Sequence, residues 1–160
     1  TVVRRVLNSL GTKEVRECAD GADALKVLKT FPADIVITDW AMEPLDGIEL
    51  TRMIRNASDS VNPYVPIIML TGHTELVKVI EARDSGVHEF LAKPISAKSL
   101  YARIRAIIEK PREFIKIKNY FGPDRRRNQG GYKGSERRVA NLEEADGELS
   151  QEEVEALLGG

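Results

Sequence analysis

Over residues 1–109 the apolar positions of this chain switch repeatedly between a helical and a strand-like period. Val2, Val3, Val6, Leu7 and Leu10 recur every three to four positions, as the inward stripe of a helix does, and stop at Gly11. Residues 15–19 predict a short strand. Ala22, Leu25, Val27 and Leu28 return to helical spacing ahead of Pro32, and Ile35, Val36 and Ile37 form an apolar run ending at Thr38-Asp39. Ile48, Leu50, Met53 and Ile54 predict the next helix, and residues 65–70 a second buried strand ending at Thr71. Leu76, Val77, Ile80 and Ala82 give a helix up to Gly86, residues 87–92 a third apolar strand ending at Lys93-Pro94, and Leu100, Ile104, Ile107 and Ile108 a last helix. Strands too apolar to have a wet face, alternating with helices, predict a doubly wound α/β fold with a parallel sheet covered on both sides.

In such sheets, ligands sit beyond the carboxyl ends of the strands. The three apolar runs end in Asp39, Thr71 and Lys93. Each alone is an ordinary polar strand end. Together, a carboxylate, a hydroxyl and an ammonium around one crevice suit a negatively charged group, with the carboxylate as acceptor and the other two stabilising its charge. Trp40 is expected to line that crevice as packing. His73 and His88 stand apart with no cysteine or acidic pattern around them, so neither is read as a metal ligand.

The 160 residues are 42% hydrophobic and 31% charged, which suits one globular domain with additional length and excludes a collagen or a wholly disordered chain. No apolar run approaches the roughly 20 residues needed to cross a bilayer, so a cytoplasmic protein without a membrane partner is expected. The lone Cys18 has no internal disulfide partner and is read as packing. A net charge of −1 conceals segregation. Residues 1–109 are balanced, residues 110–139 carry 10 basic against three acidic side chains, and residues 140–160 carry seven acidic and no basic ones. Such blocks mark interaction arms or solvated tails, giving a domain at 1–111, a basic arm at 112–141 and an acidic tail at 142–160.

The segments ADGADAL, DIVITDWAMEPLDGIEL, VPIIMLTGH and GVHEFLAKPIS resemble the receiver domain of two-component response regulators, the CheY-like family, over residues 1 to 109. The resemblance implies a five-stranded flavodoxin-like sheet. It implies that Asp39 accepts a phosphoryl group from a histidine kinase, that Thr71 and Lys93 contact it, and that the Phe90 rotamer follows Thr71. It implies a cis bond before Pro94. In MEPLDG the proline stands one position later than in the commoner pattern, with length kept, and little consequence is expected. The family holds Mg²⁺ with two acids at the end of its first strand, with Asp39 and with the backbone carbonyl of Ala41. Nothing before Thr1 supplies that central strand or its acids, so an upstream segment is expected and the polypeptide alone should phosphorylate poorly.

Past the domain an internal repeat appears: Tyr120, Gly122, Asp124, Arg125 and Arg126, with Arg127 following, and then Tyr132, Gly134, Glu136, Arg137 and Arg138. Arginines bind guanine edges in bidentate fashion or stack on bases, an acid accepts from the guanine amino group, and two copies suit a ligand with two equivalent halves. The arm resembles the arginine-rich extensions of CheY-like cyclic di-GMP effectors. A solvated basic linker is the plain alternative, and nucleic acid is not the expected partner because one short arm supplies few phosphate contacts.

At the end, Ser150 and Glu153 have capping-box spacing, and Leu149 and Val154 that of a hydrophobic staple. A helix is predicted over 150–158 with Val154, Leu157 and Leu158 on a small apolar stripe; at under three turns it is marginal alone and needs a surface. LSQEEVEALLGG resembles the amino-terminal peptide of the flagellar switch protein FliM, to which phosphorylated CheY binds. The combined expectation is a chemotaxis or flagellar-motor signalling protein, not an enzyme beyond its own phosphorylation and dephosphorylation. Its helix would address the motor switch, another CheY-like protein or its own receiver, on a face running through Phe90, Lys93 and Tyr101. The alternatives are a cyclic-dinucleotide effector in which phosphorylation is secondary, and an α/β enzyme acting on a phosphorylated metabolite.

Overall fold

The computed structural model describes residues 1–72, 76–125 and 151–152. Helix α1 (Val2–Ser9) is opened by Thr1, whose hydroxyl accepts from the Arg4 amide, and is followed by Gly11 at φ 82°. Helix α2 (Gly21–Leu28) is opened by Asp20, which accepts from the Asp23 amide. Between them, residues 15–19 are not the strand their pattern predicts. A strand exists only by pairing, and no neighbour lies alongside this segment among the described residues; an Arg4–Glu17 ion pair at 3.0 Å ties it to α1 instead.

Strands β1 (Val36–Asp39), β2 (Ile67–Thr71) and β3 (Glu89–Ala92) form a parallel sheet in that order. The register pairs Asp39 with Leu70 and Thr71 with Ala92. The resemblance implies five parallel strands, the first of them expected upstream of Thr1; of the other four, three pair in this sheet among the described residues. Residues 15–19 would need a further strand between themselves and β1, and residues 2–9 form a helix rather than that strand. Helices α3 (Gly47–Asn56), α4 (Leu76–Ser85) and α5 (Ala97–Glu109) complete the layers.

The pleat sorts β2 onto two cores. Ile67 and Met69 face Ile48 and Ile54 of α3 and Val79 and Ala82 of α4, with Leu25 and Leu28 of α2 against them. Ile68 and Leu70 face Leu100 of α5, with Val3, Val6 and Leu7 of α1 alongside. Every residue of β2 is buried, which is why its sequence reads as an unbroken apolar run. Each such side chain contributes about 1.5–3 kcal/mol on burial.

The folded part runs past residue 111. Strands β4 (Phe114–Ile117) and β5 (Tyr120–Pro123) form an antiparallel hairpin. It packs on the domain through Phe114 and Phe121, whose centroids lie 4.9 and 5.5 Å from the Tyr64 ring. Arg112 reaches Glu89 at 3.7 Å before the hairpin, and Arg125 reaches Asp84 at 2.6 Å after it. Alternating apolar residues on both sides of a Lys118-Asn119 turn outweigh the local basic charge.

Candidate functional site

The site is built at the carboxyl ends of the three parallel strands. Beyond the ladder the Trp40 amide donates to the Leu70 carbonyl at 3.0 Å and the Lys93 amide to the Thr71 carbonyl at 2.8 Å. Asp39, Thr71 and Lys93 therefore stand on one rim. Lys93 Nζ lies 2.6 Å from Asp39 Oδ1, with the two side chains 48% and 45% exposed. That Oδ1 atom is buried and meets no donor in hydrogen-bond geometry among the described residues, so the ammonium answers it by charge. A pair this exposed is worth at most about 1 kcal/mol. The lysine is thus held near the carboxylate yet easily given to another anion.

The loops are fixed locally. After Asp39 the chain turns into α3 through a capping box, Asp46 accepting from the Glu49 amide at 2.8 Å and Glu49 from the Asp46 amide at 3.1 Å. The Gly47 amide donates to the Trp40 carbonyl at 2.9 Å. After Lys93 a second capping box, Ser96 with Ser99, starts α5. The Lys93–Pro94 bond is cis, as the resemblance implies, and so is Glu43–Pro44 in the loop with the displaced proline. Beneath the rim Phe90 is fully buried and meets Trp40 edge-to-face at 6.4 Å. Trp40 is a core residue, 7% exposed, rather than a crevice lining, and Lys78 Nζ sits 5.3 Å above its ring.

The sequence profile described as the response regulator receiver domain matches residues 1–105. The chain belongs to this family. CheY-3 of Vibrio cholerae is 34% identical to the receiver over 109 residues, covering 68% of this chain and 82% of that one. CheY of Pseudomonas aeruginosa is 32% identical, covering 68% and 86%. Two solved structures resemble it at a TM-score of 0.60. The receiver domain of a Pseudomonas aeruginosa sensor histidine kinase, determined with a magnesium ion in its active site cleft, is 30% identical and covers 68% of this chain and 87% of its own. Vibrio cholerae CheY4 is 29% identical and covers 66% and 86%.

For Mg²⁺ in this receiver, the described residues offer the Asp39 carboxylate and the Ala41 carbonyl. No group of three or more acidic, His or Cys side chains able to hold a metal gathers among them. These residues alone do not complete the oxygen shell of a hard octahedral cation.

The expected arm divides. Tyr120 is 8% exposed; its hydroxyl donates to the Pro123 carbonyl at 2.7 Å and the Arg125 guanidinium lies 4.5 Å above its ring. Burial pushes the Tyr120 hydroxyl pKa upward. The Asp124 amide donates to the Glu113 carbonyl at 2.7 Å. Tyr120, Asp124 and Arg125 are therefore parts of the fold, which corrects their reading as members of a free arm: the hairpin buries the tyrosine and Asp84 takes the arginine. Arg126, Arg127, Tyr132, Glu136, Arg137 and Arg138 lie outside the described residues, as do His73, Leu149, Ser150, Val154, Leu157 and Leu158.

Two groups escaped sequence reasoning. Gln151, helical together with Glu152, accepts through Oε1 from the Ala92 amide at 3.1 Å. At the opposite end of the sheet, Arg55 is 3% exposed and donates to the carbonyls of Gly86 and Pro63 at 3.0 and 2.7 Å and to His88 Nδ1 at 3.1 Å. Burial lowers the Arg55 pKa to about 10. His88 Nδ1 also accepts from the Ile67 amide; burial first, then Arg55 and Arg112, lower the His88 pKa to about 3. This histidine is structural, with Phe114 5.3 Å away.

Proposed function

We propose that this receiver takes a phosphoryl group from a histidine kinase onto Asp39 in a chemotaxis-type two-component pathway. The observation that carries the reading is the Lys93–Asp39 pair at 2.6 Å on the rim that Thr71 shares. An Asp39 carboxylate oxygen attacks the phosphorus of the kinase phosphohistidine; the O–P bond forms as the N–P bond breaks, and the electron pair stays with the imidazole. The product carries close to two negative charges where one stood. The Lys93 ammonium follows that charge, and the Thr71 hydroxyl donates to a phosphoryl oxygen. The chemistry is confined to gaining and losing this group, so the chain is a switch rather than an enzyme. LSQEEVEALLGG serves as the output element, addressing a CheY-like surface or competing for the motor switch.

The test is acetyl phosphate or beryllofluoride with magnesium on the full-length natural protein, followed by intact mass and Trp40 fluorescence. A gain of one phosphoryl group, absent in Asp39→Asn, and a fluorescence response lost in Lys93→Ala are expected. No mass gain and no spectral change in the wild type overturn the reading.

The arginine repeat favours a second reading, in which the arm binds cyclic di-GMP and phosphorylation is secondary. Because Tyr120 and Arg125 belong to the fold, the binding falls on the copy at 132–138. Calorimetry of the full chain with cyclic di-GMP should give heat that Arg137→Ala with Arg138→Ala removes. No heat at high micromolar ligand refutes it.

A further inference from the structure

Buried charge gathers a second time under the hairpin, at the end of the sheet away from Asp39. His88, 6% exposed, accepts at Nδ1 from the Ile67 amide at 3.3 Å and from the Arg55 guanidinium at 3.1 Å. Both partners are donors, so Nδ1 is bare and the ring proton sits on Nε2. That second nitrogen meets no acceptor among the described residues. A buried N–H needs one, and His88 lines a cavity of about 170 Å³ where an acceptor can sit. The charge around the cavity is one-sided. Glu89 lines it too, but its Oε2 is engaged by Arg103 at 3.3 Å and its Oε1 by Arg112 at 3.7 Å. Arg55 is 3% exposed and has two carbonyls and His88 as its partners, not a carboxylate. Lys110 is an exposed member of the lining, and its neighbour Glu109 is taken by Arg105 at 2.8 Å. Positive charge held out of water is costly until an anion meets it.

We infer that this cavity is a binding site for a small oxyanion, held by the His88 Nε2–H, the Lys110 ammonium and the Arg112 guanidinium. The oxygens of a phosphate or carboxylate can accept from all three, and two of the three bonds are charge-assisted. The wall facing these donors is apolar, with the Tyr64 and Phe114 rings in edge contact at 4.9 Å, so an acid carrying a small aromatic body also finds a surface there. Lys110 and Arg112 belong to the link between α5 and β4; an occupied site therefore ties the hairpin to the domain. The inference stands apart from the phosphoacceptor reading.

The experiment is an imidazole proton–nitrogen correlation spectrum of the full chain, titrated with inorganic phosphate and separately with benzoate, at an ionic strength held constant with sodium chloride. The Nε2–H signal of His88 is assigned by its loss in His88→Asn. It should shift to saturation with a Kd in about the millimolar range, as befits so few contacting atoms. Lys110→Ala should weaken binding about tenfold. Lys98→Ala removes an equally exposed lysine at the other end of α5 and should leave the affinity unchanged. A response to phosphate alone identifies a free inorganic ion as the occupant, and a response to benzoate at least as strong identifies a small aromatic acid on the ring wall. Silence at His88 with both probes overturns the inference, as does a Lys110→Ala variant that binds like the wild type or loses no more than Lys98→Ala.

Discussion

A Cβ on Gly47 would lie 2.3 Å from the Asp39 carbonyl oxygen. Only glycine lets α3 begin so close under the strand that carries Asp39. Gly47→Ala must push Asp39 and the helix start apart, with an expected loss of about 1–3 kcal/mol in urea unfolding and a smaller phosphoryl response; a variant keeping both would contradict the packing described. His88 gives a prediction of opposite character. Its folded pKa of about 3 lies below the ordinary 6.5, so the unfolded chain binds a proton that the folded one refuses. The stability tied to neutral His88 is therefore whole above about pH 6.5 and falls as pH drops toward 3, with a slope of at most about 1.4 kcal/mol per pH unit. His88→Asn keeps an acceptor for Arg55 and the Ile67 amide but has nothing to protonate. Urea midpoints at about pH 7 and about pH 5 should converge for that variant and separate for the wild type; equal separation in both would place the acid sensitivity elsewhere.

At the scale of elements, the hairpin is held by rings and by two arginines that pair outside it. Phe114 is only half-buried, and Phe114→Ala should cost about 1–2 kcal/mol, below the 3–5 typical of a fully buried phenylalanine. A loss near zero in thermal or urea unfolding would mean that the hairpin contributes nothing to the domain. The parallel strands and their helices were legible in the sequence because burial on both faces leaves unbroken apolar runs, and the polar residues closing those runs marked the rim. The segment 15–19 misled because pattern predicts only what could pair, and its neighbour is missing from the described residues. The hairpin was hidden by counting charge: Lys116 and Lys118 point a reader toward solvent, although Phe114, Ile115, Ile117, Tyr120 and Phe121 carry the strand signal around a two-residue turn. Arg55 and Gln151 left no trace, since one polar residue on a helix reads as surface until its partners, here three acceptors and one amide, come from elsewhere in the chain.

Across the whole molecule the two ends of the sheet carry different business. Arg125 is fastened to Asp84 at the end of α4, near Gly86, His88 and the hairpin, while Gln151 meets Ala92 at the opposite end, where Asp39 and Lys93 stand. Residues 126–150 must bridge these points, and 25 residues reach at most about 85 Å when extended, several times the length of a five-residue strand. Reach is therefore in excess, and a tether raises the effective concentration of Gln151 at the Ala92 amide to about the millimolar range. If the bridge only tethers, doubling its length with Gly-Ser residues inserted near residue 141 costs about 0.6 kcal/mol of closure entropy, and the Ala92 amide should exchange no more than about threefold faster. Gln151→Ala should cost more than that, because it removes the acceptor itself. A loss on lengthening as large as that of Gln151→Ala would instead make the arginine-rich bridge a spacer of defined geometry. A ligand closing on its arginines would then reset the tail, and with it access to the β3 edge.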